Sequence, residues 1–124
     1  LTQAQAAARR VYSMPPAHGA LVAGRVLTDD NLGVIWRTEL SAMCQRINGL
    51  RTNLRRALEA ACGQDFAFIE REKGMFSFLG LSAEQAVRLR KEFGVYMLDS
   101  SRINVAGINA RNIDYVAQSV SEVL

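Results

Sequence analysis

One arginine, Arg102, lies within a short segment that otherwise has the composition of a buried β-strand. In the segment DSSRINVAGIN, residues 99–109, Ile103 and Val105 occupy positions expected of core side chains. Successive side chains of a strand point to opposite faces, so Arg102 shares its face with Asn104, away from both of them. A planar guanidinium beside an amide on a rigid strand suits a bidentate contact to a carboxylate. The segment is therefore a candidate carboxylate-binding site.

Two ordinary explanations of Arg102 remain open, and the pattern alone favours them. One places Arg102 on the wet face of an edge strand, and the other pairs it with Asp99 as a structural ion pair. Two further arginines, Arg9 and Arg10, precede two prolines in the segment ARRVYSMPP, where an irregular backbone is expected. The ordinary explanation of this pair is exposed surface charge.

No complete catalytic set accompanies these arginines. The chain has one histidine, His18, so any histidine-containing triad depends on that residue. Cys44 and Cys62 lie in unrelated places relative to His18, so the three do not indicate a zinc site. The serines lack the turn context of a nucleophile elbow.

Phosphate-loop and Schiff-base chemistry are not indicated either. The segment GMFSFLG, residues 74–80, lacks the glycine spacing and the Lys-Ser/Thr pair of a phosphate loop. Lys73 lies in a charged turn and Lys91 on a polar helix face, and neither has the buried setting that a Schiff-base lysine requires. What remains is recognition of an anion.

The composition is that of one ordinary globular domain. The 124 residues are 49% hydrophobic and 22% charged, with a formal net charge of +3. The cationic residues are scattered rather than clustered with aromatics, so no nucleic-acid partner is expected. Apolar runs are shorter than the ~18–20 residues of a membrane helix, so no membrane partner is expected. Cys44 and Cys62 share one helical stretch and are expected to be reduced thiols in a cytoplasmic protein.

The N-terminal half is expected to be helical. The opening TQAQAAARR is typical of a helix already under way, which indicates either a piece of a larger protein or a processed end. The proline pair ends this helix, and a second one follows over residues 17–27. A third helix, of about 30 residues, begins near Asp29 and Asp30 and ends at Gly63. Its length indicates that it reaches another part of a larger protein, with a coiled-coil pair as the alternative.

The third helix is expected to present one apolar stripe, with arginines on its other faces. The stripe has spacings of three and four and consists of Trp36, Leu40, Met43, Ile47, Leu50, Leu54, Leu58 and Ala61. The arginines are expected to form a solvated basic face: Arg37, Arg46, Arg51, Arg55 and Arg56.

After Gly63 the pattern changes to short strands. Residues 66–69 (FAFI) and 74–80 are predicted to form one strand pair, joined by the charged turn EREK. Residues 95–98 (VYML) and 102–107 (RINVAG) are predicted to form a second pair. With the intervening helices, this order predicts an α/β (α+β) sandwich, in which helices cover a small sheet.

Two helices complete the predicted C-terminal part. Ser82 and Gln85 predict a capping box at the start of the first, and Gly94 predicts its end. The last helix is predicted to begin with Asn109 as N-cap. Its buried face is expected to consist of Ile113, Val116, Ala117, Val120 and Leu124.

Three strings in these elements resemble the C-terminal part of the class I aminotransferases, in the aspartate/aromatic amino acid subgroup. They are YSMPPAHGA (12–20), GMFSFLGL (74–81) and EFGVYMLDSSRINVAG (92–107). The resemblance extends over essentially the whole chain and implies the small domain of a type I pyridoxal-phosphate-dependent transferase with a long interdomain helix. The implied division is 1–28 as the end of the large domain and dimer-interface segment, 29–63 as the interdomain helix, and 64–124 as the small α/β domain.

The resemblance also implies roles for individual residues. Arg102 matches the family arginine that binds the substrate α-carboxylate as a bidentate pair. Arg9 matches the arginine that reaches into the partner subunit's site, holds the distal carboxylate of a dicarboxylic substrate, and swings aside for an aromatic one. Phe76 matches a substrate-side phenylalanine. Tyr12 and Ser13 match the segment near the cofactor phosphate of the partner subunit.

The sequence departs from the family pattern at Met14, where aspartate-type members usually have asparagine, and at Ser101, where glycine is frequent. Both departures leave the choice between aspartate and aromatic substrates open. The family's Schiff-base lysine and its other cofactor-binding residues correspond to positions upstream of Leu1, so the chain alone is expected to lack activity, a stable cofactor adduct and any metal.

The resemblance thus predicts the C-terminal part of a cytoplasmic, homodimeric aminotransferase. The parent protein would transfer an amino group between aspartate, glutamate or aromatic amino acids and 2-oxo acids, with pyridoxal 5'-phosphate as cofactor. The alternative is a non-catalytic α/β module that binds carboxylates or dimerises.

Overall fold

Two helices form the N-terminal part, as predicted. The computed structural model describes residues 2–11 and 16–124. The first helix, α1, spans Thr2–Val11, and the second, α2, spans His18–Thr28. No residue of these two helices is buried.

The irregular backbone predicted for Arg9 and Arg10 is wrong, because both residues lie in the last turn of α1. Alanine, glutamine and arginine all favour the helix, and no glycine or proline interrupts this run. The helical preference of the run therefore extends to the end of the described segment.

The long helix α3 spans Asp30–Cys62 and has the ends that the sequence predicts. The Asp29 carboxylate accepts hydrogen bonds from the amides of Asn31 and Leu32, at 3.1 and 3.2 Å, and so caps the first turn. At the other end, Gly63 has a φ of +65°, which glycine adopts without a steric penalty. At 33 residues, α3 is about 50 Å long.

Helix α3 passes from one compact unit of the chain into a second one. The first unit is Leu1–Ser41 and the second is Ala42–Leu124. The boundary falls inside the helix, and every element after α3 belongs to the second unit. The division at residues 28 and 63, and the interdomain role of α3, stay predictions.

The apolar stripe of α3 is buried only toward its C-terminal end. Leu54 and Leu58 are fully buried, whereas Trp36, Leu40 and Met43 are exposed. The buried core begins at Leu54, and Leu50 packs partly against it, so the stripe contacts the core only from Leu50 onward. The spacing rule therefore identified the correct helix face but not the length over which it is covered.

The segment after α3 contains one strand where a strand pair was predicted. Residues 66–69 are not a strand, because a one-turn helix, α4, spans Phe68–Arg71. Phe66 and Ile69 are both buried, and their spacing of three places them on one side of a turn. The predicted charged turn is correspondingly shorter, and the first strand, β1, spans Phe76–Phe78.

Strand β1 pairs with a distant segment instead of a neighbouring one. The second strand, β2, spans Arg102–Asn104 and is antiparallel to β1, with Phe78 opposite Arg102 and Phe76 opposite Asn104. The predicted strand at 95–98 is wrong, since these residues have no regular structure. The sheet of the described chain therefore has two strands.

The predicted strand 102–107 is too long, because its second half is a 3₁₀ turn, η1, over Val105–Gly107. The side-chain oxygen of Asn104 accepts a hydrogen bond from the Ala106 amide at 3.0 Å. Asparagine side chains that bond to the nearby backbone compete with strand pairing. The strand consequently ends at Asn104.

Helix α5, Ala83–Glu92, confirms the capping box that the sequence predicts. The Gln85 amide donates to the Ser82 hydroxyl at 3.2 Å, and the Ser82 amide donates to the Gln85 side chain at 2.8 Å. The predicted end is also correct, since Gly94 has a φ of +64°.

Helix α6 spans Ile113–Val123 and begins later than predicted. Its N-cap is Asn112, and Asn109 instead begins the preceding turn, where its side chain accepts from the Arg111 amide at 2.9 Å. The inward face contains Val123 at 4% exposure, whereas Leu124, predicted to be buried, is 46% exposed. Leu124 lies one residue beyond the end of the helix, as its C-cap, and Val123 is the last residue that packs into the core.

The second unit thus consists of helices and a small two-stranded sheet that has one exposed face. The core side chains come from the end of α3 and from every later helix: Leu54, Leu58, Ile69, Leu89, Val116, Ala117 and Val120. The predicted α/β class is confirmed to this extent, with fewer strand residues than expected.

The described part of the chain has free cysteines but no candidate metal site and no candidate membrane-spanning helix. Cys44 and Cys62 are free thiols, and burial raises the pKa of Cys62. Among the described residues, no cluster of three histidine, cysteine or acidic side chains is placed to bind a metal ion. None of the described helices has both the length and the apolar character needed to cross a bilayer.

A pair of leucine substitutions tests the core. Leu58→Ala removes a fully buried side chain and is expected to lower the free energy of unfolding by about 2–5 kcal/mol. Leu124→Ala is the matched control, and its half-exposed position predicts a loss below about 1 kcal/mol. Urea denaturation of both purified variants measures the difference, and equal losses would contradict the placement of Leu124.

Candidate functional site

The pairing of β1 and β2 places Arg102 beside Phe76. The two residues lie diagonally across the strand pair on its exposed face, while Ser77 and Ile103 lie on the opposite face. The guanidinium carbon of Arg102 lies 4.7 Å from the centroid of the Phe76 ring. This cation–π contact restricts a long, flexible side chain to one region above the sheet.

An open cavity of about 370 Å³ lies beside this pair. Its lining includes the polar residues Arg102 and Asn104, as well as Tyr96, and the apolar residues Phe76 and Met97. The Asn104 oxygen already accepts the Ala106 amide, so its amino group is left to donate. The cavity therefore presents a cation and a neutral donor side by side, next to an aromatic ring.

The ion pair between Arg102 and Asp99 does not form. Asp99 instead binds Arg90 of α5, with an Nη2 to Oδ1 distance of 2.9 Å. Arg90 also donates to the Met97 carbonyl at 3.3 Å, which connects α5 to the turn before β2. Within the described residues Arg102 has no carboxylate partner within 4.0 Å. Its guanidinium is therefore available to an external anion.

The residue before Arg102 has an unusual backbone conformation. Ser101 has a φ of +66°, and it is the one non-glycine residue with a positive φ in the described chain. It is 1% exposed, and its hydroxyl accepts a hydrogen bond from the Leu81 amide at 3.0 Å. The residue immediately before β2 is thus strained in its backbone, buried and hydrogen-bonded.

Arg51 is the one arginine of the expected solvated face that the structure places in the core. It is 2% exposed and donates to the carbonyl oxygens of Ile69, Gly74 and Phe76, at 2.8 to 2.9 Å. Its Nη1 also lies 3.5 Å from a carboxylate oxygen of Glu72. The prediction of a solvated face is wrong for Arg51, because its side chain is buried. These acceptors offset the burial of its charge, while its Nε has no hydrogen-bond partner among the described residues.

The Glu72 carboxylate links Arg51 to strand β1. One oxygen accepts from the Ser77 hydroxyl, and the other accepts from the Phe78 amide at 3.3 Å. Ser77 is fully buried beneath the strand. The Arg51–Glu72 pair therefore supports β1 from the side opposite Phe76 and Arg102.

A signal for the burial of Arg51 was present in the sequence. Arg51 follows Ile47 by four residues and precedes Leu54 by three, which is the spacing of the apolar stripe itself. Classification of arginine as polar removed it from that stripe. Another arginine of this helix, Arg55, behaves closer to expectation: it pairs with Glu59 and Glu70, and these hydrogen bonds raise its pKa.

The remaining predicted site residues lie elsewhere in the chain or outside the described part. Arg9 is exposed in α1, within the first unit, whereas Arg102 and Phe76 belong to the second. Tyr12 and Ser13 fall outside the described residues. The structure therefore brings together Arg102 and Phe76 of the predicted set.

The comparison with known protein families decides which group of proteins has this arrangement. A family model for aminotransferase class I and II matches residues 1–120. The chain belongs to this family. The resemblance predicted from the three strings is thereby confirmed.

Individual aminotransferases are similar over nearly all of the chain. An aspartate aminotransferase of Escherichia coli is 46% identical over 124 residues, which are 99% of this chain and 31% of that protein. An aromatic-amino-acid aminotransferase of Pseudomonas aeruginosa is 44% identical over 94% of this chain and 29% of its own length. The chain spans less than a third of the length of these relatives.

A solved aminotransferase has the same fold in the corresponding region. The crystal structure of an aromatic-amino-acid aminotransferase from Burkholderia pseudomallei, covalently bound to pyridoxal phosphate, superposes with a TM-score of 0.87 at 44% identity. The match covers 94% of this chain and 29% of that one. The arrangement of α3 to α6 around β1 and β2 is therefore an aminotransferase fold element.

Substitution of Arg51 tests its structural importance. Arg51→Met leaves three carbonyl oxygens without their donor and removes the cationic partner of Glu72, and it is expected to destabilise the protein by about 3–5 kcal/mol. Arg56→Met, five residues further along α3 and exposed, is the control and is expected to change stability by less than about 1 kcal/mol. Thermal and urea unfolding measure both, and a stable Arg51→Met variant would show that solvent replaces these contacts.

Proposed function

We propose that the full-length protein is an aminotransferase that moves an amino group between aspartate, glutamate or aromatic amino acids and 2-oxo acids. Family membership supports this reaction, as do relatives named aspartate and aromatic-amino-acid aminotransferases. Both kinds of relative have comparable identity to the chain, so the proposal includes both substrate classes.

The observation that best supports the proposal is the free guanidinium of Arg102 over the Phe76 ring. All amino acids and 2-oxo acids share a carboxylate next to the reacting carbon, and we assign the binding of that carboxylate to Arg102. A guanidinium fork donates two parallel hydrogen bonds to the two oxygens and thereby fixes the plane of the substrate. The Asn104 amino group is a neighbouring donor for the same anion.

Phe76 contributes by restricting Arg102 and by excluding water from one side of the carboxylate. The ring is 47% exposed, so it presents an apolar surface to the cavity. Charge-assisted hydrogen bonds strengthen when water is removed from around them. Orientation of a substrate by such contacts lowers the entropic part of a reaction barrier.

The cofactor of the whole protein is proposed to be pyridoxal 5'-phosphate, which supplies an electron sink for amino-acid chemistry when bound. The relative from Burkholderia pseudomallei holds it covalently. The residues described here do not fit a covalent attachment, because the two lysines of the chain, Lys73 and Lys91, are both exposed. We therefore assign the attachment to another part of the protein and restrict this chain to substrate orientation, with no catalytic residue of its own.

The further parts of the proposal concern the assembled protein. Arg9 would reach the partner subunit's site and bind the distal carboxylate of dicarboxylic substrates, and Tyr12 and Ser13 would lie near the partner subunit's cofactor phosphate. A homodimer is required for these roles. A cytoplasmic location and small-molecule partners complete the proposal and are supported by the family resemblance. The expectation of no nucleic-acid or membrane partner is supported by the scattered charges and the short apolar runs.

Replacement of Arg102 tests the central assignment in the full-length holoenzyme. Arg102→Lys keeps the charge but loses the planar fork, and Arg102→Leu loses both, so kcat/KM should fall for every amino-acid substrate. If the assembled enzyme buries the ion pair, the fall for leucine corresponds to a loss of about 2–5 kcal/mol of transition-state stabilisation. Arg111→Lys, an exposed arginine of the turn before α6, is the control. Steady-state kinetics with aspartate and with phenylalanine provide the measurement, and an unchanged kcat/KM in both Arg102 variants would refute the assignment.

Replacement of Arg9 tests the distal-carboxylate role. Arg9→Leu should raise KM for aspartate and glutamate about tenfold or more and leave KM for phenylalanine nearly unchanged, because phenylalanine has no distal carboxylate to bind Arg9. The adjacent Arg10→Leu serves as control. Equal losses for dicarboxylic and aromatic substrates would contradict a role specific to the distal carboxylate.

A protein that binds carboxylates but transfers no amino group would instead be a binding module.

A further inference from the structure

The turn that precedes Arg102 is held by a single buried serine. Every backbone group of Ser101 is hydrogen-bonded: its amide donates to the Leu98 carbonyl at 2.8 Å, and its carbonyl accepts from the Leu79 amide at 3.1 Å. The hydroxyl accepts from the Leu81 amide at 3.0 Å. The residue thereby connects the turn before β2 with the chain that leaves β1.

These contacts hold the backbone of Arg102 from both sides. On one side, the bond from Leu79 to Ser101 continues the β1–β2 ladder by one residue beyond the pair of Phe78 and Arg102. On the other side, the Leu98 amide lies 3.4 Å from the Arg102 carbonyl oxygen. The direction in which the Arg102 side chain leaves the strand is consequently determined by the conformation at the residue before it.

That conformation is unfavourable for any residue with a side chain. A φ of +66° brings the Cβ atom of Ser101 close to the following carbonyl, a penalty that glycine alone avoids fully. The Ser101 hydroxyl offsets the penalty, because it is the acceptor of a buried amide that otherwise has none among the described residues. Strained residues at functional sites persist when surrounding contacts determine them in this way.

We propose that Ser101 is a positioning residue for Arg102: its hydroxyl retains the left-handed backbone that directs the guanidinium over Phe76 and into the cavity. The inference rests on the proposed carboxylate role of Arg102 and adds the residue that sets its geometry. Ser101 itself is buried and makes no contact with the cavity lined by Arg102, so its effect on substrate is indirect.

Substitution of Ser101 by alanine and by glycine distinguishes the effect of the backbone conformation from the effect of the hydroxyl group. Ser101→Ala keeps the Cβ penalty and removes the acceptor of the Leu81 amide, so the backbone is expected to leave the left-handed region and displace Arg102. Ser101→Gly also lacks the acceptor, but it adopts the same backbone without penalty and leaves space for a water to bind the amide. If the hydroxyl contributed to stability alone, the alanine and glycine variants would have equal binding constants for the substrate.

The experiment measures carboxylate binding in the full-length holoenzyme, well below the unfolding temperature of each variant. The probes are 3-phenylpropionate and succinate as inhibitors, because they present carboxylates without a transferable amino group, and aspartate as substrate. Ser101→Ala should raise both inhibition constants and the KM for aspartate about three- to tenfold, with kcat changed less than about twofold. Ser101→Gly should remain within about twofold of the unsubstituted protein in every constant, and so should Ser100→Ala, the exposed neighbour.

Each other outcome is informative. Unchanged constants in Ser101→Ala, or equal increases in the alanine and glycine variants, overturn the positioning role. Failure of the Arg102 variants to affect binding refutes the proposed function instead, whatever happens at Ser101. If Ser101→Ala does not fold, Ser101→Cys replaces it, since a thiol of similar size is a weak acceptor and is expected to give the same increase.

Discussion

The guanidinium of Arg51 determines how the chain between α4 and β1 is folded. Its amino groups donate to carbonyl oxygens from Ile69 to Phe76, a segment with little regular structure of its own. Buried carbonyls without donors cost free energy, and one planar cation with five N–H groups satisfies several of them at once. Because Arg51 lies on the same face of α3 as Leu54 and Leu58, the segment is placed by the helix face that also forms the core.

The site on the outer face of the sheet depends on this inner support. Strand β1 has its inner side chain, Ser77, bound to the Glu72 carboxylate, so its outer residues are fixed in register before any ligand is present. Diagonal neighbours in an antiparallel pair are within reach of aromatic and long side chains, which is the relation between Phe76 and Arg102. A charge buried beneath the sheet thus positions the charge exposed above it.

Local signals in the sequence predicted the features that have local causes. The capping box at Ser82, the helix end at Gly63 and the length of α3 depend on contacts within a few residues, and the structure confirms all three. The strands at 66–69 and 95–98 were wrong because a short continuous apolar run also fits a helical turn or an irregular segment, and the pairing partner decides among them. For Arg102, the pattern identified the exposed face correctly, while its stacking on Phe76 follows from a pairing that no local signal specifies.

The exposure of Arg102 limits how much this side chain, in its proposed role, could contribute to binding a carboxylate. An ion pair in water contributes about 0–1 kcal/mol, because solvent screens the charges and the side chain loses conformational entropy. The stack on Phe76 and the hydrogen-bonded turn at Ser101 reduce that entropic cost during folding, before a ligand arrives. The larger electrostatic gain requires removal of water from around the guanidinium, and an open cavity beside it does not provide that. Under the proposed role of Arg102, this chain therefore supplies the geometry of the contact, whereas a stronger electrostatic contribution would depend on parts of the protein outside this chain.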